Sequence, residues 1–215
     1  MKQTTLVAAF LFVTLLCFGQ KEHLEPVKDS SKRNLKEYYD SLFSRLHTGF
    51  AEKPYARYTS NPSFSENYAF SVETIENKNY IITNGFSENY WYAKNREEVK
   101  LITNKAEIED NLYFKIGELF QLLTEQTKEI EKEVVIDSEG FTHHTVKLDG
   151  TMYYFSTVDK NGEVKTGETY APSKNTLLKR LVTICNNLYS VGKGEGEISQ
   201  TDISKEIDSL INDLK

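Results

Sequence analysis

Apolar residues recur at helical spacing in the first long periodic segment of the chain. Ser30 or Ser31 can cap a helix there, and Gly49 and Pro54 end it. A polar leader, residues 20–29, precedes this helix. The apolar face of the predicted helix consists of Leu35, Tyr38, Tyr39, Leu42, Phe43 and Leu46.

Between residues 55 and 103 the period shortens, and short segments rich in β-branched and aromatic residues predict strands. The predicted strands are residues 69–75, 80–83, 90–93 and 99–102. Turn-prone polar segments separate them at residues 76–79, 84–85 and 95–96. Strands joined by such short turns form an antiparallel meander.

A second unit of one helix and several strands follows. Asn104 and Glu107 have the spacing of a capping box, which predicts a long helix that runs to about Glu131. Its apolar stripe consists of Ile108, Leu112, Ile116, Leu119, Phe120 and Leu123. The strands predicted after it are residues 133–137, 141–148, 151–158 and 163–170. Asp149 and Gly150 favour a type I′ hairpin turn between the second and the third of these.

Two helices and a linker are predicted at the end of the chain. Pro172 and Ser173 open the first helix, whose apolar positions are Leu177, Leu181, Ile184, Cys185 and Leu188. A glycine-rich linker, residues 191–198, leads to an amphipathic helix over residues 199–215. Its apolar positions are Ile203, Ile207, Leu210 and Leu214. This helix spans under two heptads, so it needs to dock on its own domain or on a partner.

The order helix, strands, helix, strands, helices predicts an α+β fold. We expect a single domain over residues 30–190, in which antiparallel strands pack with about four helices. Whether the two runs of strands form one sheet or two stays open. The pentapeptide Phe-Ser-Glu-Asn-Tyr occurs twice, at residues 64–68 and 86–90, each time before an aromatic-rich stretch. Chance, or a turn that is used twice to lead into a strand, explains this repeat.

The start of the chain has the features of a bacterial export signal. Lys2 supplies a positive charge, residues 6–18 are almost entirely apolar, and small residues precede a cleavage point between Gly19 and Gln20. We therefore expect residues 1–19 to be removed and the mature protein to be periplasmic or extracellular, with no transmembrane span. An uncleaved anchor is one alternative. A lipid anchor at Cys17 is another, which the bulky residue before that cysteine disfavours.

Composition and charge exclude several classes of function. The formal net charge is -6, with 26 Lys and Arg against 32 Asp and Glu. A broad basic face for nucleic acid or anionic lipid is therefore not expected. Two cysteines exclude a disulfide-rich scaffold and a multi-cysteine zinc site. Cys185 fits a buried position in a helix, although a nucleophilic role stays open in principle.

No catalytic or metal-binding constellation is recognisable in the sequence, and no cofactor is indicated. His143 and His144 are neighbours on a predicted strand, so their side chains point to opposite faces and cannot share one ion. The metalloprotease, nucleophile-elbow and phosphate-loop patterns are all missing from the sequence. We therefore assign no catalytic residue and no metal ligand.

Aromatic residues supply the remaining candidates for a site. Tyr90, Trp91 and Tyr92 include the single tryptophan. On a strand, Trp91 faces one side and both tyrosines the other, so one side can present rings to a ligand. The alternative is that all three are buried in cross-strand pairs. These residues are the candidate ligand contacts, and the partner is an unidentified glycan, peptide or protein.

Two hypotheses about function follow from the sequence. The first is an exported bacterial envelope protein, non-catalytic, that binds a glycan, a peptide or a protein partner. The second is a secreted or periplasmic hydrolase that uses acidic residues, with or without His143 or His144. A cleft in which a histidine meets two carboxylates favours the enzyme, whereas exposed rings favour binding.

Overall fold

A computed structural model of the chain describes residues 22–27, 35–129, 135–136, 142–143 and 149–215. Within these ranges there are four helices, which together with an antiparallel sheet confirm the predicted α+β class. The helices are α1 (Lys36–Leu46), α2 (Asp110–Glu125), α3 (Leu177–Lys193) and α4 (Gln200–Leu214). The strands are β1 (Glu25–Pro26), β2 (Ala56–Pro62), β3 (Tyr68–Ile75), β4 (Lys78–Phe86), β5 (Leu101–Ile108), β6 (Val135–Ile136), β7 (Thr142–His143), β8 (Thr151–Val158) and β9 (Val164–Tyr170).

The two predicted runs of strands join in one antiparallel sheet. Its order is β1-β9-β8-β2-β3-β4-β5, while β6 and β7 pair separately with each other. Strand β2 connects the two runs because it pairs with β3 on one side and with β8 on the other. The periodic analysis missed β2 as a strand, and also the short edge strand β1 within the polar leader.

Helices cover both faces of the sheet, and each face has its own core. On one face, Tyr58, Phe70 and Phe155 are fully buried against α2, α3 and α4. On the other face, Leu42 and Leu46 of α1 pack in a smaller cluster with neighbours from β3, β4 and the segment after it. Successive side chains along a strand point to opposite faces of the sheet, so a sheet that is covered on both sides supplies residues to both cores.

The last helix docks on its own chain. All four predicted apolar positions of α4 are buried and belong to the main core beside α2 and α3. The Ser199 hydroxyl accepts a hydrogen bond from the Asp202 backbone N–H, which confirms the predicted cap. Ion pairs from Lys115 to Asp208 and from Arg180 to Asp213 connect its acidic face to the neighbouring helices.

The prediction of a turn at Asn84 and Gly85 was wrong, because both residues lie inside β4. The Asn84 amide donates to the carbonyls of Leu46 and Thr48, at 2.8 and 2.9 Å, and so caps the end of α1. Gly85 faces Tyr189, whose hydroxyl oxygen would lie 2.6 Å from an added Cβ. Contacts of the sheet with α1 and α3 therefore explain why an asparagine and a glycine stand here, and a local turn does not.

The predicted capping box was also wrong. Asn104 and Glu107 lie in β5, where they pair with strand β4. The following helix begins at Asp110 and ends at Glu125, several residues before the predicted end. Beyond it, the Lys128 backbone N–H donates to the carbonyl of Leu24, which places this segment beside β1 instead of in a helix.

The boundaries of α3 differ at both ends from the prediction. Thr176 caps the helix by accepting from the Lys179 N–H, so Pro172 and Ser173 precede it. Gly192 lies within α3 and packs closely on the sheet, since an added Cβ there would be 2.7 Å from the Ile81 side chain. The glycine-rich connector therefore begins later than expected.

Several predictions fall wholly or partly outside the described residues. They include the signal peptide, the caps Ser30 and Ser31, and most of the strands predicted at 133–137 and 141–148. Among the helices that are described, none has both the length and the apolar character that a membrane span requires.

Cys185 is a buried core residue, as the helical pattern predicted. Its side chain is fully inaccessible, and burial raises the pKa of the thiol well above its usual value. A thiol that stays protonated in an apolar core is a poor nucleophile.

His47, at the end of α1, is held in its neutral form. Its Nε2 atom lies 2.9 Å from the Thr59 hydroxyl oxygen, and its ring stacks on Phe43 and Phe50. Burial, together with the charge of Arg57, lowers the pKa of His47 to about 3. The unfolded chain has an ordinary histidine pKa near 6.5, so below that pH the unfolded state binds a proton that the folded state refuses.

We predict that acidification weakens the fold through His47. Between pH 7 and pH 5 the free energy of unfolding should fall by about 2 kcal/mol from this residue alone. Urea unfolding at both pH values measures it, with His47→Gln as the comparison, because glutamine can replace the hydrogen bond without titrating. The variant should lose less stability than the wild type on acidification, and an identical loss in both would contradict the assignment.

Candidate functional site

An aromatic-lined cleft of about 430 Å³ opens at one end of the sheet, on the face that α1 covers. Its floor is a row of residues that lie side by side on three strands, Asn61, Met152 and Tyr170. The complete lining consists of Leu35, Tyr38, Tyr39, Asn61, Pro62, Ser63, Phe64, Trp91, Tyr92, Gly150, Met152 and Tyr170. We call this feature the aromatic cleft.

The segment predicted as a strand at residues 90–93 is a turn, and this correction changes which rings face solvent. The Asn89 side-chain oxygen accepts from the backbone N–H groups of Trp91 and Tyr92, at 2.9 and 3.3 Å. A side chain that satisfies the backbone in this way competes with strand pairing. We call residues 89–93 the Trp91 turn.

The three candidate aromatic residues separate into two roles. Tyr90 is only 1% exposed and is not among the residues that line the cleft. Trp91 and Tyr92 are 43% and 60% exposed, and both line the cleft. The expectation that both tyrosines share one face was therefore wrong, because the chain turns at this point instead of running straight.

Tyr90 anchors the Trp91 turn to the rest of the protein. Its ring stacks on Phe86 with the centroids 5.0 Å apart, and its hydroxyl lies 2.6 Å from the Ser41 hydroxyl on α1. Arg96 closes the turn from outside, since it donates to the carbonyls of Tyr90 and Trp91. The exposed rings are thus carried by a firmly held piece of backbone.

The two copies of the repeated pentapeptide bind each other reciprocally. The Asn67 side-chain oxygen, in the first copy, accepts from the Tyr90 N–H in the second, at 3.2 Å. Asn89, in the second copy, donates to the carbonyl of Ser65 in the first, at 2.6 Å. A backbone hydrogen bond from Phe86 to Asn67 adds a third connection. We call this arrangement the asparagine clasp.

The clasp also fixes the direction of the hydrogen bonds under the cleft. Because a backbone N–H donates to the Asn67 oxygen, the Asn67 amide must donate to Asn61, at 2.7 Å. Asn61 in turn hydrogen-bonds Tyr39 and Tyr154.

The tyrosine hydroxyls keep their protons at any ordinary pH. Burial raises the pKa of Tyr39 and of Tyr154, and the nearby carboxylate of Glu168 adds to both shifts. Glu168 is itself buried, directly opposite Tyr154 on the neighbouring strand. Burial also raises the pKa of Tyr38 to about 12. The cleft is thus supplied with neutral hydroxyl groups.

The walls of the cleft present ring faces in a fixed arrangement. Phe64 and Tyr92 are nearly parallel, with 10° between their planes and centroids 6.2 Å apart. Tyr38 meets Trp91 edge to face, with centroids 4.8 Å apart. The Arg96 guanidinium lies 5.0 Å from the Tyr38 ring centroid, which supports the same wall from behind.

Three polar groups at the rim are available to a ligand. The hydroxyls of Tyr38 and Tyr92 and the indole N–H of Trp91 make no hydrogen bond to another residue in the part of the chain that the structure describes. All three residues line the cleft. Hydrogen-bonding groups beside flat rings are the usual composition of a small-molecule site.

The residues considered for hydrolysis lie elsewhere or outside the described ranges. His143 belongs to β7, which supplies no residue to the lining given above, and His144 is not among the described residues. Across the described ranges, no group of three His, Cys, Asp or Glu side chains is placed to hold a metal ion. The hydrolase hypothesis therefore stays a prediction that this geometry does not test.

Sequence reasoning found Trp91 and Tyr92 but missed the rest of the cleft. Tyr38 and Tyr39 were assigned to the buried face of a helix, and Phe64 was noted only as part of the pentapeptide. That repeat was the one signal in the sequence that joined Phe64 to the Trp91 turn.

Comparison of the chain with protein-family models, with curated proteins and with solved structures gave no match.

Proposed function

We propose that the protein is an exported, non-catalytic binding protein of the bacterial envelope, and that its ligand lies in the aromatic cleft. One observation carries this proposal: large rings stand exposed around a cleft of about 430 Å³ on backbone that hydrogen bonds hold in place. Export rests on the apolar, weakly basic start of the chain.

Exposed rings favour binding because their burial by a ligand releases free energy. Phe64 and Tyr92 are 68% and 60% exposed, so most of their apolar surface is available to a partner. Aromatic residues of this kind dominate the energetics of many binding sites. The Trp91 turn is also fixed before binding, so little conformational entropy is lost when a ligand arrives.

The charge of the protein narrows the class of ligand. The twelve lining residues carry aromatic, aliphatic, hydroxyl and amide side chains, and the chain as a whole has a net charge of -6. Nucleic acid and other polyanions are therefore disfavoured. A glycan, a peptide or a protein segment without strong negative charge is compatible with this lining.

We predict that ligands shield Trp91 from solvent. Trp91 is the single tryptophan of the chain, so intrinsic fluorescence reports on the cleft without a label. Acrylamide should quench the free protein, and a bound oligosaccharide or peptide from a mixed panel should reduce that quenching. Tyr92→Ala keeps the reporter and should weaken the protection, while Phe114→Ala, an exposed ring on α2, should not. Unchanged quenching with every member of the panel would contradict the proposal.

We also predict export with cleavage after Gly19. The mature protein should be found outside the cytoplasm with Gln20 as its first residue, and N-terminal sequencing measures this directly. Recovery of a chain that begins with Met1 would contradict the localisation, whereas it would leave the cleft itself unaffected.

A further inference from the structure

We infer that the aromatic cleft binds a neutral oligosaccharide of β-linked pyranose units, an inference that rests on the proposed function. The ring faces, the polar groups and the charge of the lining each point to this class of ligand. The competing class is a proline-rich peptide, which also binds between aromatic rings.

The arrangement of the rings matches the shape of a β-linked sugar chain. Pyranoses with equatorial linkages are flat and present C–H groups on both faces, and these carry a slight positive charge. Aromatic faces are negative, so such C–H groups pack favourably on them. Phe64 and Tyr92 offer nearly parallel ring faces whose centroids are 6.2 Å apart, and Trp91 lines the same cleft as a third ring. An α-linked chain is curved and cannot lie on successive rings in the same way.

The polar groups of the cleft match sugar hydroxyls better than a peptide backbone. A tyrosine hydroxyl both donates and accepts, and so does a sugar hydroxyl. The hydroxyls of Tyr38 and Tyr92 line the cleft and make no hydrogen bond to another of the described residues. In a polyproline helix the prolines offer only carbonyl acceptors. The tyrosine hydroxyls could donate to them, but the ability of these hydroxyls to accept a hydrogen bond would stay unused.

The size and charge of the cleft fit a short, uncharged segment. A volume of about 430 Å³ lies within the ordinary range for small-molecule sites, and the lining residues carry no ionisable acid or base other than tyrosine. Because Phe64 and Tyr92 project into solvent at the rim, a longer chain can continue beyond the cleft.

Isothermal titration calorimetry on the purified protein tests the inference with four named probes. Cellotetraose and chitotetraose are β-linked, maltotetraose is the α-linked control, and a neutral proline-rich decapeptide represents the competing class. At least one β-linked probe should bind, and about tenfold more tightly than maltotetraose. Trp91→Ala and Tyr92→Ala should each weaken that binding about tenfold. Phe114→Ala, which removes an equally exposed ring from α2, should leave it unchanged.

The outcomes separate this inference from the proposed function. Binding of the peptide alone, with sensitivity to Trp91→Ala, would overturn the sugar assignment and leave the cleft as the binding site. Equal binding of α-linked and β-linked probes would overturn the argument from flat faces. Failure of all four probes to bind would overturn the sugar assignment, and only failure of the wider quenching panel as well would remove the binding proposal. Melting curves of the variants, whose rings are exposed, establish that each is folded.

Discussion

The asparagine clasp is the interaction on which the cleft depends. Two surface turns, one after β2 and one after β4, carry the exposed rings, and neither pairs with a strand at its tip. Asn67 and Asn89 satisfy backbone N–H and carbonyl groups of the opposite turn. Each such bond contributes about 1 kcal/mol net, and leaving a buried N–H without a partner costs more. The two side chains thus reinforce the backbone bond from Phe86 to Asn67 and the contact between the Phe64 and Tyr92 rings.

The same two side chains connect the surface rings to the interior. Asn67 is almost fully buried, and its amide donates to Asn61 on the floor of the cleft. Asn89 holds the backbone from which Trp91 and Tyr92 project. The exposed rings and the floor of the cleft therefore belong to one hydrogen-bond network, which is the kind of preorganisation that binding sites need.

Much of the fold could be predicted from periodicity, because burial on two faces of a sheet and on one face of each helix leaves a repeating pattern. The α4 helix, its Ser199 cap and the buried Cys185 were all predicted correctly for this reason. The failures occurred where a polar residue has a distant partner. Asn84 looked like a turn residue, but it caps α1, and Asn104 looked like a helix cap, but it pairs in β5.

The cleft was harder to predict than the fold, because it is assembled from segments far apart in the chain. Tyr38 on α1, Phe64 after β2 and Tyr170 on β9 meet only once the sheet has formed. Trp91 was identified as a candidate from composition, although its predicted strand is a turn. The repeated pentapeptide was visible, yet a repeat does not show that one copy binds the other.

A double-mutant cycle of Asn67→Ala and Asn89→Ala tests the clasp most directly. Chemical unfolding of the wild type, both single variants and the double variant gives the four free energies of unfolding that the cycle requires. Because both side chains hold the same two turns together, loss of one should weaken the contribution of the other. We expect a coupling energy of about 1 kcal/mol or more. Additive effects within about 0.3 kcal/mol would show that the two asparagines act independently and would contradict the account.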